Sequence, residues 1–300
     1  ITEPTAIQAE AIPILLEGRN ATISSETGTG KTLAYLLPIF SRIDPTLRAV
    51  QAIVLVPTHE LAMQIHHEGH QLAGRSGLGI RVQALIGGVS VKRQLEKLKQ
   101  KPHLIVGSAG RIGELINMGK LKVHAVQTVI IDETDRMLVA DSLAAVRNVV
   151  KATLKECRLV FVSATELPES ARVAESMAPG LVRVHTGCNR VVSAIEHCYL
   201  VCDERDKPDR LASLIHAASP QRAIVFVHRN EDAEIISAKL GHRGIAVADL
   251  HGARDKMARK HALENFRSGR IRILVASDVA ARGLDVEGVT HIINVDPPTQ

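Results

Sequence analysis

The chain has 300 residues, 45% of them hydrophobic, and a net charge of +5. That is enough apolar sequence for the core of one large domain or two ordinary ones, which excludes a disordered chain. Its longest apolar runs fall far short of the roughly 20 residues of a membrane span, and no signal-like segment opens it, so no membrane partner is expected. With no Trp, two Tyr and four Phe, rows of base-stacking rings are excluded, and any nucleic acid must be held by its backbone.

Taken in order, short β-branched runs alternate with stretches of helical period. Strands are expected at residues 52–56, 82–86, 104–106, 128–131, 159–162, 195–201, 224–227, 247–250, 271–276 and 291–295. Most are apolar throughout instead of alternating, as parallel strands covered on both faces are, so the fold class is α/β. Residues 179–193 carry the Gly, Asn and polar side chains of a connection, which divides the chain into a domain at 1–188, a linker at 189–194 and a second domain at 195–300. In such sheets ligands bind beyond the carboxyl ends of the strands. The four cysteines fit no disulfide framework and no paired zinc half-site, which points to reduced thiols in an intracellular, cytoplasmic protein. Because Ile1 is not Met and the chain stops just after an apolar run, it reads as an excised fragment.

Two motifs carry chemistry. Glu26-Thr27-Gly28-Thr29-Gly30-Lys31-Thr32, just before an apolar helical run, resembles a Walker A loop, although the strict pattern has Gly where this chain has Ser25. Its glycines let backbone N–H groups close on phosphate oxygens, Lys31 reaches the β and γ phosphates, and the Thr32 hydroxyl suits Mg²⁺. Further on, Thr128-Val129-Ile130-Ile131 delivers Asp132 and Glu133 at the end of a strand. Asp132 can hold hydrated Mg²⁺, largely through water, and Glu133 can polarise the attacking water, so hydrolysis of a nucleoside triphosphate is expected.

With these two motifs the chain closely resembles the DEAD-box RNA helicases over essentially its whole length. Pro4-Thr5-Ala6-Ile7-Gln8 is similar to the Q motif, Pro57-Thr58-His59-Glu60 to motif Ia, Gly87-Gly88 to the paired glycines, and Ser108-Ala109-Gly110-Arg111 to motif Ib. Asp132-Glu133-Thr134-Asp135 resembles the name-giving motif with Thr for Ala, and Ser163-Ala164-Thr165 resembles motif III. In the second half, residues 224–227, His251-Gly252 through Arg259, and Ala276-Ser277 through Asp285 resemble motif IV, the QxxR segment and motif V.

The resemblance implies two RecA-like domains, each a parallel sheet flanked by helices, the second incomplete at its C-terminal end. It implies an ATP-dependent RNA helicase that unwinds short duplexes or remodels RNA–protein complexes through ATP-driven domain closure. Gln8 would select ATP, with residues 26–32 and Asp285 around the nucleotide. Lys31, Asp132, Glu133, Ser163 and Thr165 would be catalytic, Ser163 and Thr165 by coupling ATP state to RNA. Pro57, Thr58, Glu60, Gly87, Gly88, Gly110, Arg111, His251, Gly252 and Ser277 would hold RNA with little regard for its sequence, and flanking tails would supply protein partners. His59, Ala109 and Lys256 depart from the family's usual Arg, Pro and Gln, which keeps a second reading, a catalytically weak RNA-binding scaffold on the same fold. The arginines of motif VI would begin beyond Gln300, so this stretch alone should bind ATP and hydrolyse it poorly. Seven of the chain's cations, against Asp255 and Glu264, fall between His251 and Arg272.

Overall fold

The structure is a computed structural model that describes residues 3–165, 167–186, 195–250, 256–277 and 286–296, except the side chains of Ala140 and Lys256. It divides into two compact units, Ile1–Val192 and Ser193–Gln300. The expected linker at 189–194 lies outside the described residues.

The first unit runs α1 (Ala6–Leu16), β1 (Ala21–Ser25), α2 (Lys31–Arg42), β2 (Ala52–Leu55), α3 (His59–Ser76), β3 (Val82–Leu85), α4 (Val91–Leu98), β4 (Leu104–Gly107), α5 (Ala109–Asn117), β5 (Thr128–Asp132), α6 (Thr134–Met137), α7 (Ala140–Ala152), β6 (Arg158–Ser163), α8 (Pro168–Met177) and β7 (Val182–Thr186). Its seven strands form one parallel sheet in the order β3-β4-β2-β5-β6-β1-β7. The two-residue period of a strand explains why these runs are apolar throughout. Along β2, Ala52 and Val54 face a core shared with α1, α2 and α3, while Ile53 and Leu55 face a second core shared with α5, α7 and α8. Both faces are buried, and each large side chain so removed from water contributes about 1.5–3 kcal/mol.

The second unit holds α9 (Lys207–Ala218), β8 (Ala223–Val227), α10 (Asn230–His242), β9 (Val247–Leu250), α11 (Lys256–Arg267), β10 (Ile273–Ser277) and β11 (His291–Asn294). Among the described residues its four strands are parallel in the order β11-β8-β10-β9. Here too the core lies on both faces, with α9 and α10 on one and α11 on the other. The α/β reading with two parallel sheets flanked by helices therefore holds. Among the described residues no helix is long and apolar enough to cross a membrane.

Three expectations about strands are corrected. Residues 195–201 are not a strand: the segment pairs with nothing in either sheet, and Tyr199 is 93% and Val201 86% exposed. Apolar sequence is not sufficient for a strand, because the ladder needs a partner. Residues 179–193 are not connection throughout, since Val182–Thr186 is β7, which pairs with β1. Nor did the sequence reading place a strand at Ala21–Ser25, which is β1.

Candidate active site

The carboxyl ends of β1, β6 and β5 lie side by side. Val162 of β6 is the register partner of both Ile23 and Asp132, which brings the loop after β1, the acids after β5 and Ser163 of β6 to one edge of the sheet.

The loop after β1 is closed by its own backbone. Gly28 and Gly30 adopt left-handed φ of +80° and +88°, which a residue with a Cβ pays to enter. Thr29 Oγ1 donates to the Glu26 carbonyl, and Lys31 Nζ donates to the carbonyls of Ser25 and Glu26 at 2.5 and 2.6 Å. Burial pulls Lys31 below the usual lysine range, against the opposing pull of Asp132, Asp135, Glu133 and Glu26. Helix α2 starts at Lys31, so its first-turn N–H groups and positive dipole end point into the same loop. Glu26, Thr27 and Gly28 are exposed, with Lys31 and Thr32 half-buried.

Gln8 reaches this loop from α1. It is 4% exposed; its Oε1 accepts from the Thr5 N–H at 3.1 Å and its Nε2 donates to the Gly30 carbonyl at 3.2 Å. Thr5 Oγ1 adds a bond to the Thr29 carbonyl at 2.8 Å. Each end of the Gln8 carboxamide keeps one further hydrogen-bonding position.

Asp132 is 7% exposed, and both its oxygens are engaged: Oδ1 by the Glu133 N–H at 2.8 Å, Oδ2 by the Tyr35 hydroxyl at 2.9 Å. Burial pushes its pKa up to about 6, with the Glu133 N–H and the Tyr35 hydroxyl pulling it down. Glu133 follows in left-handed backbone, φ +50°, and its carboxylate pairs with Arg136 at 3.0 Å. Ser163 Oγ donates to Asp135 at 2.9 Å and accepts from the Thr165 N–H at 3.3 Å. Thr134, where the family pattern has Ala, lies within hydrogen-bond reach of the carbonyls of Ile131 and Val162, tying β5 to β6. Asp132 and Thr32 fit a magnesium ion: one carboxylate, one hydroxyl, phosphate oxygens and water are the donors that ion prefers, and burial leaves the Asp132 charge short of compensation.

A second group of loops leaves β2, β3 and β4, also neighbours. Leu55 and Leu85 both register with Gly107, so the loops start level. A Cβ on Gly107 would overlap the Leu85 carbonyl, which explains the glycine. Thr58 caps α3 by accepting from the Leu61 N–H at 3.2 Å. Pro57, Thr58, Glu60 and Gly87 are partly exposed, and Gly88 and Gly110 are exposed. His59 packs against Gly87, where an added Cβ would lie 3.4 Å from its Nε2. Arg111 pairs with Glu114 at 3.1 Å.

In the second unit, Ser277 ends β10, is 2% exposed and donates to Asn230 at 2.8 Å. His251, Gly252 and Asp285 lie outside the described residues. Sequence reasoning passed over Tyr35, Arg136 and Gln94, and quoted Asp135 in its motif without giving it a role. Gln94, 3% exposed, donates to the carbonyls of Ile86 and Val89 on either side of the paired glycines. None of Tyr35, Arg136 and Gln94 stands out by spacing. Tyr35 and Gln94 sit in helices, where an apolar ring or an amide blends into the pattern.

Comparison with known proteins gives the family. The DEAD/DEAH box helicase family matches residues 5–172, and the helicase conserved C-terminal domain matches residues 206–300. The DEAD-box ATP-dependent RNA helicase CshC of Bacillus cereus is 42% identical over 99% of this chain and 75% of its own length. The probable ATP-dependent RNA helicase YfmL of Bacillus subtilis is 37% identical over 99% of this chain and 79% of its own. Among solved structures, Saccharomyces cerevisiae Dbp5 bound to RNA and ADP BeF3 superposes with a TM-score of 0.89 at 29% identity, covering 100% of this chain and 76% of that one. A DEAD box protein from Methanococcus jannaschii gives a TM-score of 0.57 at 28% identity, with 98% and 79% covered. With both family domains in sequence order and relatives aligned nearly end to end, the chain belongs to the DEAD-box family of ATP-dependent RNA helicases.

Proposed function

We propose that this chain hydrolyses ATP in an RNA-dependent way and uses the cycle to separate short duplexes or remodel RNA–protein complexes. The observation that carries the reading is the convergence of Lys31, Asp132 and Ser163 on three adjoining strand ends, set by the shared register at Val162. Gln8 selects the adenine, and Glu26 to Thr32 with Asp285 surround the nucleotide. Phosphates draw Lys31 off the Ser25 and Glu26 carbonyls, where its charge is now spent on neutral acceptors. Asp132 and Thr32 would hold Mg²⁺, which supplies charge neutralisation on the β and γ phosphates. Glu133 orients the attacking water. Ser163, bonded to Asp135, relays the state of the nucleotide, and Thr165 assists it.

RNA is held by its sugar-phosphate backbone along Pro57, Thr58, Glu60, Gly87, Gly88, Gly110 and Arg111 in the first unit and His251, Gly252 and Ser277 in the second, which positions without reading sequence. ATP drives closure of the two units only insofar as it binds the closed form better. We further propose a cytoplasmic setting, where both ATP and RNA are met. Residues 286–300 contain no arginine. We accordingly propose that residues 1–300 taken alone turn ATP over weakly, for want of the family's transition-state arginines, worth about 10³–10⁵ in rate in related phosphoryl transfer.

The test is Lys31→Ala, assayed in a polypeptide extended through the sixth motif. RNA-stimulated turnover should fall at least about a hundredfold with circular dichroism and melting temperature unchanged. Full turnover in that variant would falsify the site. Equal turnover by residues 1–300 and the extended polypeptide would overturn the claim of weak activity.

A further inference from the structure

Tyr35 is a residue that the helicase reading does not use. It sits in α2 four residues after Lys31 and three after Thr32, on the face of the helix that turns toward the sheet. It is fully buried in the core of the first unit, a place an apolar ring would fill equally well. Its hydroxyl is what sets it apart. The Tyr35 O–H donates to Asp132 Oδ2 at 2.9 Å. A buried hydroxyl on the helix that begins with Lys31 and Thr32 thus holds the carboxylate that fits the magnesium ion.

We propose that Tyr35 is a positioning residue for the metal–nucleotide site, its hydroxyl fixing the plane of the Asp132 carboxylate and tying it to α2, the helix that carries Lys31 and Thr32. The inference rests on the ATP-site reading given above. The Glu133 N–H holds Oδ1 and Tyr35 holds Oδ2, so rotation of the carboxylate breaks one bond or the other. Each oxygen keeps a further lone pair to face the ion's water shell. Partners of this kind, one shell behind the ligands, typically govern metal affinity by about 10–100-fold. Without the hydroxyl, Asp132 keeps its place on β5 but loses its orientation.

The composition supplies an unusual probe. The chain has no Trp and two Tyr, of which Tyr199 is 93% exposed and Tyr35 fully buried. In a Tyr199→Phe protein the tyrosine absorption and emission belong to Tyr35 alone, and a phenol bonded to a carboxylate reports changes at that carboxylate.

Two measurements test the inference. In the first, binding of a fluorescent ADP is titrated against free Mg²⁺ for the wild type and Tyr35→Phe, and repeated in EDTA. The variant should need about tenfold more Mg²⁺, with binding in EDTA and melting temperature close to wild type. In the second, adding Mg²⁺ to ADP-loaded Tyr199→Phe should change the Tyr35 signal, and adding it to a Tyr199→Phe, Lys31→Ala protein without nucleotide binding should not. An unchanged Mg²⁺ midpoint in Tyr35→Phe, or a Tyr35 signal indifferent to Mg²⁺, would overturn the positioning role. If Lys31→Ala bound nucleotide normally, the site reading itself would fall, so the two failures are distinguishable.

Discussion

At the scale of single residues, the site holds side chains in states that folding alone would not select. Glu133 has φ +50°, a left-handed backbone that residues other than Gly, Asn and Asp enter at a cost of about 1 kcal/mol. Its ion pair with Arg136 is partly exposed and returns little. Glu133→Gly should therefore melt no lower than the wild type although turnover collapses, a comparison that calorimetry and an ATPase assay settle. Far from this edge, His103 is fully buried between Arg81 and the start of β4, its Nδ1 accepting from the Arg81 N–H at 3.1 Å. Burial first, then the Arg81 charge, hold it below the ordinary histidine value of 6.5, with Asp44 pulling the other way. A folded-state value below the unfolded one means that the neutral ring belongs to the fold. Its stabilisation is complete above pH 6.5 and is lost as the pH falls through the lowered value. Urea midpoints at pH 7.5 and 5.5 should thus converge more closely in His103→Gln than in the wild type.

At the scale of elements, the packing of β3 against β4 turns on Gly107, where a Cβ would meet the Leu85 carbonyl and not a yielding side chain. Gly107→Ala should cost about 2–4 kcal/mol, read as a lower urea midpoint. It should also weaken RNA binding, because the loops after both strands move. How legible such elements were depended on what marks them. Apolar runs such as Ile53-Val54-Leu55 announce a two-faced strand, and the loop at Gly28 to Thr32 announces itself by glycines and a lysine. β1 and β7 carry Thr22, Ser24, Ser25, Arg183 and His185 in place of an apolar run. Ser24 and Ser25 are buried all the same, Ser25 Oγ accepting from Thr186 at 3.2 Å. That burial depends on neighbours more than 130 residues away, which local sequence does not reveal. The reverse holds for residues 195–201, apolar enough for a strand yet without a partner strand. Within the site, Lys31 and Asp132 were legible because their chemistry demands a spacing. Tyr35 and Gln94 were not, since a residue that acts by holding another carries no signature of its own.

At the scale of the whole molecule, recognition without aromatic rows implies an RNA affinity dominated by charge. For about five phosphate contacts, binding should weaken by about two orders of magnitude between 50 and 200 mM salt, and should vary little among single strands of equal length and different sequence. Filter binding across both variables checks this; strong sequence preference with a flat salt dependence would contradict backbone gripping. The strand order has a further result. β1, which leads into the phosphate loop, and β3, which leads into the paired glycines, are separated by β6, β5, β2 and β4, five strand spacings or about 24 Å. A parallel sheet buried on both faces behaves as a stiff ruler over that distance, and no side chain spans it. On the proposed reading, a phosphate at one end of that interval and an RNA backbone at the other do not touch, and any coupling between them runs through the packed sheet and the helices that cover it.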